Sequence, residues 1–449
     1  MRSMLMTNPA LAAARLGQDP FEMTTQAAGA VFPFVMQQGL RDLRGVVVGM
    51  NVLAGGAFVF DPFRAYANGL VTNPNMAIFG SPGQGKSALV KTLLSRMDAL
   101  SGASRFVAII DPKGEYIDLA GWLGYQVLSL RPNGGVRLNP LGGDATIEEG
   151  ATDRRSKLVG ALAGQVLDRP LSGLEEQTIW AAVEILGTHD RASLRDLVDL
   201  LGEPTAELLA AAEVDRTDWS RSTDPLRRAL SRLVDRSLRG MFDGDDSVNI
   251  SGTNRGVVID LSAVYGDPIA LPLVMVAVTG WLQELRATQG GGRQWIQVFD
   301  EAWGLLQHAS LAAYLQSAWK LGRTWGVANV LVAHRLSDLR AQADDGTSTV
   351  KITSGLVSDT ATRVVLRQAA AERSDFQTQL GLSERESGII TDLVRGRHLW
   401  QIGASKAVVQ HIVGSHEWPL VDTDQQMREN HTGFPASPSE LAGTGVGAS

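Results

Sequence analysis

One ten-residue stretch, IFGSPGQGKS at positions 78–87, restricts the folds open to this chain more than any other feature. Two apolar residues lead into a loop of small and turn-forming residues, and a lysine and a serine follow. The stretch fits the pattern G-x-x-x-x-G-K-[ST], in which glycines let backbone N–H groups face one concavity and the next helix adds its positive N-terminal end. The pattern therefore predicts a buried strand, a phosphate-binding loop and then a helix.

The phosphate loop, residues 80–88, is the predicted binding site for a nucleotide. Lys86 is expected to reach the β- and γ-phosphates, and Ser87 is expected to ligate Mg²⁺. The sequence on either side supports this reading, because NMAIFG is apolar like a buried strand and SALVKTLLSRMDAL has helical spacing. The predicted cofactor-binding residues are Gly80, Ser81, Pro82, Gly83, Gln84, Gly85, Lys86, Ser87 and Ala88.

A second candidate element is WIQVFDEAW at 295–303, where an apolar run leads to two adjacent carboxylates. Phosphoryl transfer needs one acid to hold Mg²⁺ and one base to orient the attacking water. Asp300 suits the first role and Glu301 the second. An acidic pair of this kind is usually a solvated turn when it occurs alone, so the interpretation depends on the phosphate loop.

A third element is IIDPKGEY at 109–116, which ends the strand that follows the phosphate-loop helix. Asp111 and Glu115 are expected near the same edge of the sheet, where open α/β sheets bind ligands. From the residues alone, a Pro/Gly turn with surface charges is an equally good reading.

Strand-like and helix-like segments alternate from residue 76 onward, which predicts an α/β fold with a mostly parallel sheet covered on both faces. Periodic leucines over 145–242 predict an all-helical subdomain inserted into that fold. The predicted divisions are a flexible or helical lead-in (1–30), a β-hairpin segment packed on the nucleotide domain (31–75), the first part of that domain (76–144), the helical insertion (145–242), the second part (243–420) and a C-terminal tail (421–449), disordered from about 433.

Composition narrows the function classes. The 449 residues include no cysteine, which excludes disulfides, thiolate metal sites and thiol nucleophiles. The net charge of −7 argues against a broad nucleic-acid surface, so DNA contact would need a local patch or a pore built by several subunits. The most apolar stretches are too short to cross a bilayer, and we expect membrane contact only through partners.

The order of several motifs resembles the type IV secretion ATPases of the TraC/TrbE class, in the HerA–FtsK branch of RecA-like motors. The resemblance covers roughly residues 45–415, and DPKGEY and DEAW are its specific motifs. The motifs that carry it are GSPGQGKS, DPKGEY, RLNPLGG, GVVIDLS, FDEAW, GRTWGV, VAHRLSDL, TRVVLRQ and HLWQIG.

The resemblance implies a RecA-like P-loop NTPase that uses ATP and Mg²⁺ and forms a homo-oligomer, with a hexamer as the expected form. Arg323 matches an arginine that completes the neighbouring subunit's site in related coupling motors, and Arg363 is a second candidate for that role. For both arginines a surface ion pair is the alternative. The resemblance also implies a cytoplasmic protein that is peripheral to the membrane through other subunits of a secretion machine.

Two features depart from the pattern of that class. His334 stands where glutamine is common at the end of the fourth strand, and a neutral imidazole there could hydrogen-bond the γ-phosphate or the attacking water. A packed strand-end histidine is the alternative. About 45 residues precede the nucleotide domain where a large domain is usual, so we expect a separate polypeptide to supply that domain and to dock on 31–75.

Three functions remain open at this stage. The first is an ATPase that energises type IV secretion or conjugative transfer, the second is a DNA-pumping translocase of the HerA–FtsK kind, and the third is a nucleotide-binding scaffold with weak hydrolysis. Direct DNA binding is possible through a predicted basic helix, LRRALSRLVDRSLRG at 226–240, although a solvated helix face is the favoured reading because no aromatic residues that could stack on bases are interleaved with its arginines. The acidic chain and the DEAW motif favour the first function.

Overall fold

The structure is a computed structural model that describes residues 44–142, 150–187, 192–289, 292–301, 309–322, 324–336 and 355–421. The predicted lead-in (1–30), the tail after residue 421 and Arg323 lie outside the described residues. None of the helices in the described part of the chain combines the length and the hydropathy of a membrane span.

One sheet organises the described chain. Its strands are β1 (Val46–Asn51), β2 (Ala57–Phe60), β3 (Met76–Phe79), β4 (Arg105–Asp111), β5 (Gln126–Ser129), β6 (Gly256–Asp260), β7 (Gln294–Phe299), β8 (Val327–Ala333), β9 (Thr362–Val365), β10 (Arg397–Ile402) and β11 (Ser405–His411). The strand order across the sheet is β2-β1-β11-β10-β9-β3-β8-β7-β4-β6-β5.

The helices of the described chain cover both faces of this sheet. They are α1 (Pro62–Ala67), α2 (Lys86–Ser101), α3 (Ile117–Leu123), α4 (Ala151–Leu167), α5 (Gly173–Gly187), α6 (Leu194–Gly202), α7 (Ala206–Ala211), α8 (Arg216–Arg232), α9 (Ala270–Thr288), α10 (Ala309–Gly322), α11 (Arg373–Leu380), α12 (Glu384–Asp392) and α13 (Trp418–Val421).

The parallel part of the sheet runs from β9 to β5. Strands β3, β4 and β8 are buried along their whole length, as expected for strands covered on both faces. One core cluster lies on the face covered by α4 to α10, and the other lies on the face covered by α1, α2, α3 and α13. The predicted α/β fold with a mostly parallel sheet is confirmed.

The other part of the sheet is antiparallel, from β9 through β10, β11 and β1 to β2. Strands β1 and β2 form a hairpin within the range 31–75, and this hairpin joins the main sheet through β11. The sequence analysis did not predict β11, nor the helix that follows β2. Asp61 begins that helix, since its side chain accepts a hydrogen bond from the Arg64 N–H at 3.0 Å and Pro62 is the first helical residue.

Helices α4 to α8 lie between β5 and β6 in the chain and pack beside α9 and α10. A buried ion pair joins this helical region to the sheet-covering helix α9, where Arg155 contacts Glu284 at 2.7 Å. Residues 143–149 are outside the described residues, so the predicted boundary at 145 stays a prediction.

The basic segment 226–240 is not the single helix that was predicted. Helix α8 ends at Arg232, and a π-helical turn covers Leu233–Ser237. The leucines of the segment 226–240 are buried, whereas Arg227 and Arg228 each form a hydrogen bond with Asp224 in α8. The arginine face is therefore partly neutralised by its own chain.

Candidate functional site

Four adjacent parallel strands bring the candidate site together. In the order β3, β8, β7 and β4 they end at the same edge of the sheet, because parallel strands share their carboxyl edge. The residues that follow or end these strands are Gly80, His334, Asp300 and Asp111, respectively. Segments more than 200 residues apart in sequence therefore meet in one cleft.

The phosphate loop has the backbone that its glycines predict. Gly85 has a φ of +98° and immediately precedes α2, and no side chain caps that helix end. Uncapped N–H groups at a helix N-terminus are donors for an anion. A Cβ atom at Gly85 would have no neighbour within 4 Å, so the concavity beside it is open, whereas a Cβ atom at Gly80 would lie 2.8 Å from Leu366 Cβ.

Lys86 is buried at the first position of α2, and its ammonium group contacts its own loop. Its Nζ donates to the carbonyl oxygen of Gly80 at 2.7 Å and lies 3.4 Å from that of Ser81. It also lies 2.9 Å from His334 Nδ1. Burial lowers the pKa of Lys86, and the nearby carboxylates of Asp300 and Glu301 act in the opposite direction.

The acidic pair follows β7 directly, and both side chains are buried. The Glu301 N–H donates to Asp300 Oδ1 at 2.9 Å, and Glu301 has a φ of +52°. A left-handed backbone is uncommon for a residue other than glycine, and such strain is concentrated at functional sites. The Glu301 carboxylate forms an ion pair with Lys113, which lies in the turn after β4.

His334 lies between the two halves of the cleft. Its Nε2 is 3.0 Å from Glu301 Oε1, while its Nδ1 contacts Lys86. The carbonyl oxygen of His334 accepts a hydrogen bond from Gln368 Nε2 at 3.2 Å, which ties the end of β8 to the segment after β9. One imidazole ring therefore spans the gap between Lys86 and Glu301.

Asp300 is a buried acid of the cleft with a perturbed pKa. Burial raises its pKa to about 7, with further contributions from the charges of Glu301, Glu115 and Asp111. A buried carboxylate surrounded by other carboxylates forms a site that a cation would stabilise.

These residues fit Mg²⁺. The ion takes oxygen ligands, usually one or two carboxylates together with substrate phosphates and waters, so Asp300 and the Ser87 hydroxyl are a suitable donor set. In the described ranges no group of three His, Cys, Asp or Glu side chains is arranged to hold a metal by itself. The donor set therefore fits an ion that arrives with phosphates better than a permanently bound one.

The DPKGEY turn is built around Asp111. Its carboxylate accepts hydrogen bonds from the N–H groups of Lys113, Glu115 and Tyr116 at 3.2, 3.1 and 2.8 Å. Burial raises the pKa of Asp111 to about 6, although these N–H groups act in the opposite direction. Glu115 is half-buried, and its charge acts on both Lys86 and Asp300.

Arg363 lies inside β9, at the level of Ala77 in β3. Its Nη2 donates to the carbonyl oxygen of Val357 at 3.2 Å, and burial lowers its pKa. This contact is within the same chain, so the suggested action on a neighbouring subunit stays a prediction, as does that of Arg323.

A cavity of about 500 Å³ lies against the phosphate loop on the β9 side. Residues from the loop and from the segments after β9 and within α11 and α12 line it, among them Ser81, Gln84, Arg367, Arg373 and Asp392. The Ser81 N–H donates to the Arg367 carbonyl oxygen at 3.1 Å, which connects the loop to the cavity wall. A ligand that extends beyond the phosphates has room there.

Comparisons with known proteins show what this chain is similar to. The family described as the central domain of the helicase HerA matches residues 66–251. Protein TraC of Escherichia coli (strain K12) is 23% identical over 324 residues, which cover 71% of this chain and 35% of TraC. The resemblance to the type IV secretion and conjugation ATPases is confirmed. The chain spans about a third of the length of this curated relative.

Solved structures show the shared fold. VirB4 of Thermoanaerobacter pseudethanolicus matches with a TM-score of 0.66 and 20% identity, over 85% of this chain and 100% of the VirB4 chain. The plasmid coupling protein TrwB in complex with ADP and Mg²⁺ matches with a TM-score of 0.55 and 18% identity, over 84% of this chain and 92% of the TrwB chain. The RecA-like P-loop fold expected from the sequence is thus confirmed.

Lys113 is the residue of this cleft that the sequence analysis did not assign. It lies inside the quoted DPKGEY motif, and its ion pair with Glu301 joins β4 to β7. Burial acts to lower the pKa of Lys113, but the hydrogen bond that Lys113 donates to the Glu301 carboxylate and the charge of that carboxylate together outweigh burial, so the pKa of this lysine is raised. The signal available in the sequence was a lysine between Asp111 and Glu115 in the turn that ends a strand. The sequence did not show which residue this lysine would pair with.

Proposed function

We propose that this chain is an Mg²⁺-dependent ATP hydrolase that energises type IV secretion or conjugative transfer. One observation carries the proposal: the His334 ring contacts both Lys86 and Glu301, so the phosphate loop and the acidic pair share one cleft. Phosphoryl transfer needs these two parts within reach of the same phosphate group.

Each residue has a role that follows from its position. The loop amides and Lys86 bind the phosphates, Ser87 and Asp300 hold Mg²⁺, and Glu301 orients the attacking water. When bound, Mg²⁺ neutralises charge that develops on the phosphate oxygens. Glu115 adds negative charge beside the metal ligands, and His334 is placed to contact the γ-phosphate once Lys86 has turned toward it.

The cavity beside the loop suits the nucleoside. Arg367 and Arg373 offer planar cationic groups, and Asp392 offers an acceptor for a hydroxyl or amine. TrwB, which is similar in fold, was solved with ADP and Mg²⁺, and this supports a nucleotide as the ligand here.

The assembly is also part of the proposal. We infer a homo-oligomer, expected to be a hexamer, in which Arg323 or Arg363 completes a neighbouring site. Its partners would be other subunits of the secretion machine, including a polypeptide that supplies a domain preceding the nucleotide domain. The chain would work in the cytoplasm at the membrane, held there by these partners.

Phosphate release from Mg–ATP by the purified protein tests the proposal. The variants Lys86→Ala and Glu301→Gln should each lose about 100-fold or more in kcat, because each removes a group that acts in the transition state. Lys157→Ala is a matched control, since Lys157 is an exposed lysine that pairs only with Asp153 one turn away on α4 among its described contacts. Nucleotide binding with negligible turnover in the wild-type protein would instead identify a scaffold.

A DNA-pumping translocase is the second candidate, favoured by the match to the HerA central domain. In that case duplex DNA should stimulate phosphate release strongly, and added salt should abolish the stimulation. An ATPase rate that is unchanged by duplex DNA at low salt would favour the secretion function.

A further inference from the structure

Four side chains form a continuous line across the cleft. Lys113 contacts Glu301, Glu301 contacts His334, and His334 contacts Lys86. Their positions follow the strand order, because they lie in the segments that follow β4, β7, β8 and β3, which are adjacent in the sheet. The line thus joins the phosphate loop to the predicted catalytic base and ends at a lysine on the far side.

The chemistry of the line assigns the proton positions on His334. A lysine ammonium has three donors and no acceptor, so His334 Nδ1 must accept from Lys86. The remaining nitrogen, Nε2, then carries the hydrogen and donates it to the Glu301 carboxylate. In this state Lys86 and Glu301 fix the imidazole in one neutral tautomer.

Lys86 has no donor left for a ligand in this state. Its three N–H bonds are used by the carbonyl oxygens of Gly80 and Ser81 and by His334 Nδ1. Nucleotide phosphates that engage Lys86 must displace at least one of these partners. The carbonyl groups belong to the loop itself, whereas His334 lies on another strand and can be released without changing the loop backbone.

We propose that His334 transmits the occupancy of the phosphate loop to Glu301. His334 holds Lys86 and Glu301 together through its two ring nitrogens, and phosphate binding withdraws Lys86 and loosens the hold on the Glu301 carboxylate. Glu301 then remains on Lys113, which keeps the carboxylate beside β4. His334 is a positioning residue in this role, and the inference rests on the proposed function only in taking a nucleoside phosphate as the ligand.

Equilibrium binding of ADP measures the competition for Lys86 without requiring hydrolysis. Calorimetry of His334→Ala should show ADP affinity raised by about threefold to tenfold, the worth of one hydrogen bond that no longer has to be broken. His416→Ala, a change at an exposed histidine, is the matched control and should bind ADP like the wild type. Unchanged or weakened ADP binding by His334→Ala would overturn the inference.

Two conservative variants separate the two contacts of the ring. His334→Asn can place an acceptor near the position of Nδ1 but cannot reach Glu301, so its ADP affinity should stay close to that of the wild type. His334→Gln can place a donor near the position of Nε2 but leaves Lys86 without its competitor, so its ADP affinity should rise as in His334→Ala. The reverse order of the two affinities would contradict the assigned tautomer.

A double-mutant cycle tests the transmission to Glu301. Glu301→Ala removes a negative charge near the phosphates whether or not His334 is present. When His334 is present, the same change also frees the imidazole ring that holds Lys86. Glu301→Ala should therefore tighten ADP binding more in the wild-type background than in His334→Ala. Additive effects would show that the two residues act independently and would refute the inference.

The outcomes distinguish this inference from the proposed function. Altered ADP affinities of the predicted sign in a protein that releases no phosphate from Mg–ATP would contradict the hydrolase alone. Normal phosphate release with ADP affinities that do not respond to His334 would contradict the transmission alone. A wild-type protein that binds no ADP would contradict both.

Discussion

Glu301 combines a strained backbone with a charged neighbour, Lys113, and a polar one, His334. Its φ of +52° aims the carboxylate along the edge of the sheet, where Lys113 and His334 contact it from opposite sides. A side chain held by partners on two different strands is positioned far more narrowly than one on a free loop, and catalysis depends strongly on such positioning. The strain is therefore consistent with a reactive residue.

Lys113 should affect turnover more than nucleotide binding. In Lys113→Met the Glu301 carboxylate loses its anchor on β4, so kcat for ATP should fall by about tenfold or more while KM changes by less than about threefold. Steady-state kinetics over a range of Mg–ATP concentrations measures both quantities.

The conservative variant Lys113→Arg is the control for this change. It keeps a cation within reach of Glu301 and should retain most of the kcat. A kcat of Lys113→Met equal to that of the wild type would show that Lys113 only neutralises charge and does not position the base.

Helix α2, which follows the phosphate loop, contacts strands β1 and β11 in the antiparallel part of the sheet. Thr92 of α2 contacts His411 of β11 at 2.8 Å, and Arg96 of α2 bonds the backbone of β1 and the carboxylate of Glu417. These contacts tie the helix that follows the phosphate loop to the antiparallel part of the sheet. Movement of this helix on nucleotide binding would therefore reach the edge strands.

Two histidines, the buried His398 of β10 and the half-buried His411 of β11, make this strand pair sensitive to acid. His398 on β10 is fully buried beside His411, and burial lowers the pKa of His398 to about 3 and that of His411 to about 4, the latter helped by Arg96. A histidine whose folded pKa lies below its unfolded value binds fewer protons when folded, so stability rises with pH and is lost as pH falls below about 6.5. Each such group should cost about 2 kcal/mol of the free energy of unfolding by pH 5.

Chemical denaturation between pH 5 and pH 8 measures this effect. His398→Leu should lose about 2 kcal/mol less stability over that range than the wild type, because one of the two titrating groups is gone while His411 remains. His416→Leu, at an exposed position, should follow the wild-type curve. A pH dependence that is identical in His398→Leu and the wild type would rule out this histidine as a source of acid sensitivity.

At the scale of the whole molecule, the described chain brings the phosphate loop and the acidic pair into one cleft, and the proposed arginine from a neighbouring subunit stays a prediction. Arg363 bonds a carbonyl group of its own chain, and Arg323 lies outside the described residues. An arginine supplied by a neighbouring subunit would make the site incomplete in a monomer, since such a residue is worth several orders of magnitude in rate.

The dependence of the ATPase rate on protein concentration tests the shared site. If a neighbour supplies the arginine, the rate per subunit should rise steeply over the range in which light scattering shows assembly, and Arg323→Ala should assemble but remain slow. A rate per subunit that is constant across that range would exclude a shared site.

Sequence reasoning recovered the parts of this molecule that depend on short-range spacing. The phosphate loop, the strand before it and the helix after it follow from ten consecutive residues, because glycine positions and apolar periodicity act within one turn or one strand. The acidic pair Asp300 and Glu301 and the parallel strands were likewise predictable, since continuous apolar runs between helices are typical of buried strands. The extra strand β11 and helix α1 were missed because their sequences resemble ordinary loop and hairpin segments.

The tertiary structure alone decided which groups meet. Strand β8 inserts between β3 and β7, so His334 lies between Lys86 and Glu301, and β4 on the other side of β7 brings Lys113 to the same carboxylate. Strand order results from long-range burial and crossover packing, which leave no trace in local spacing. The sequence therefore determined that a phosphate-loop pattern and an acidic pair are present, whereas the order of four strands determined that a histidine connects them.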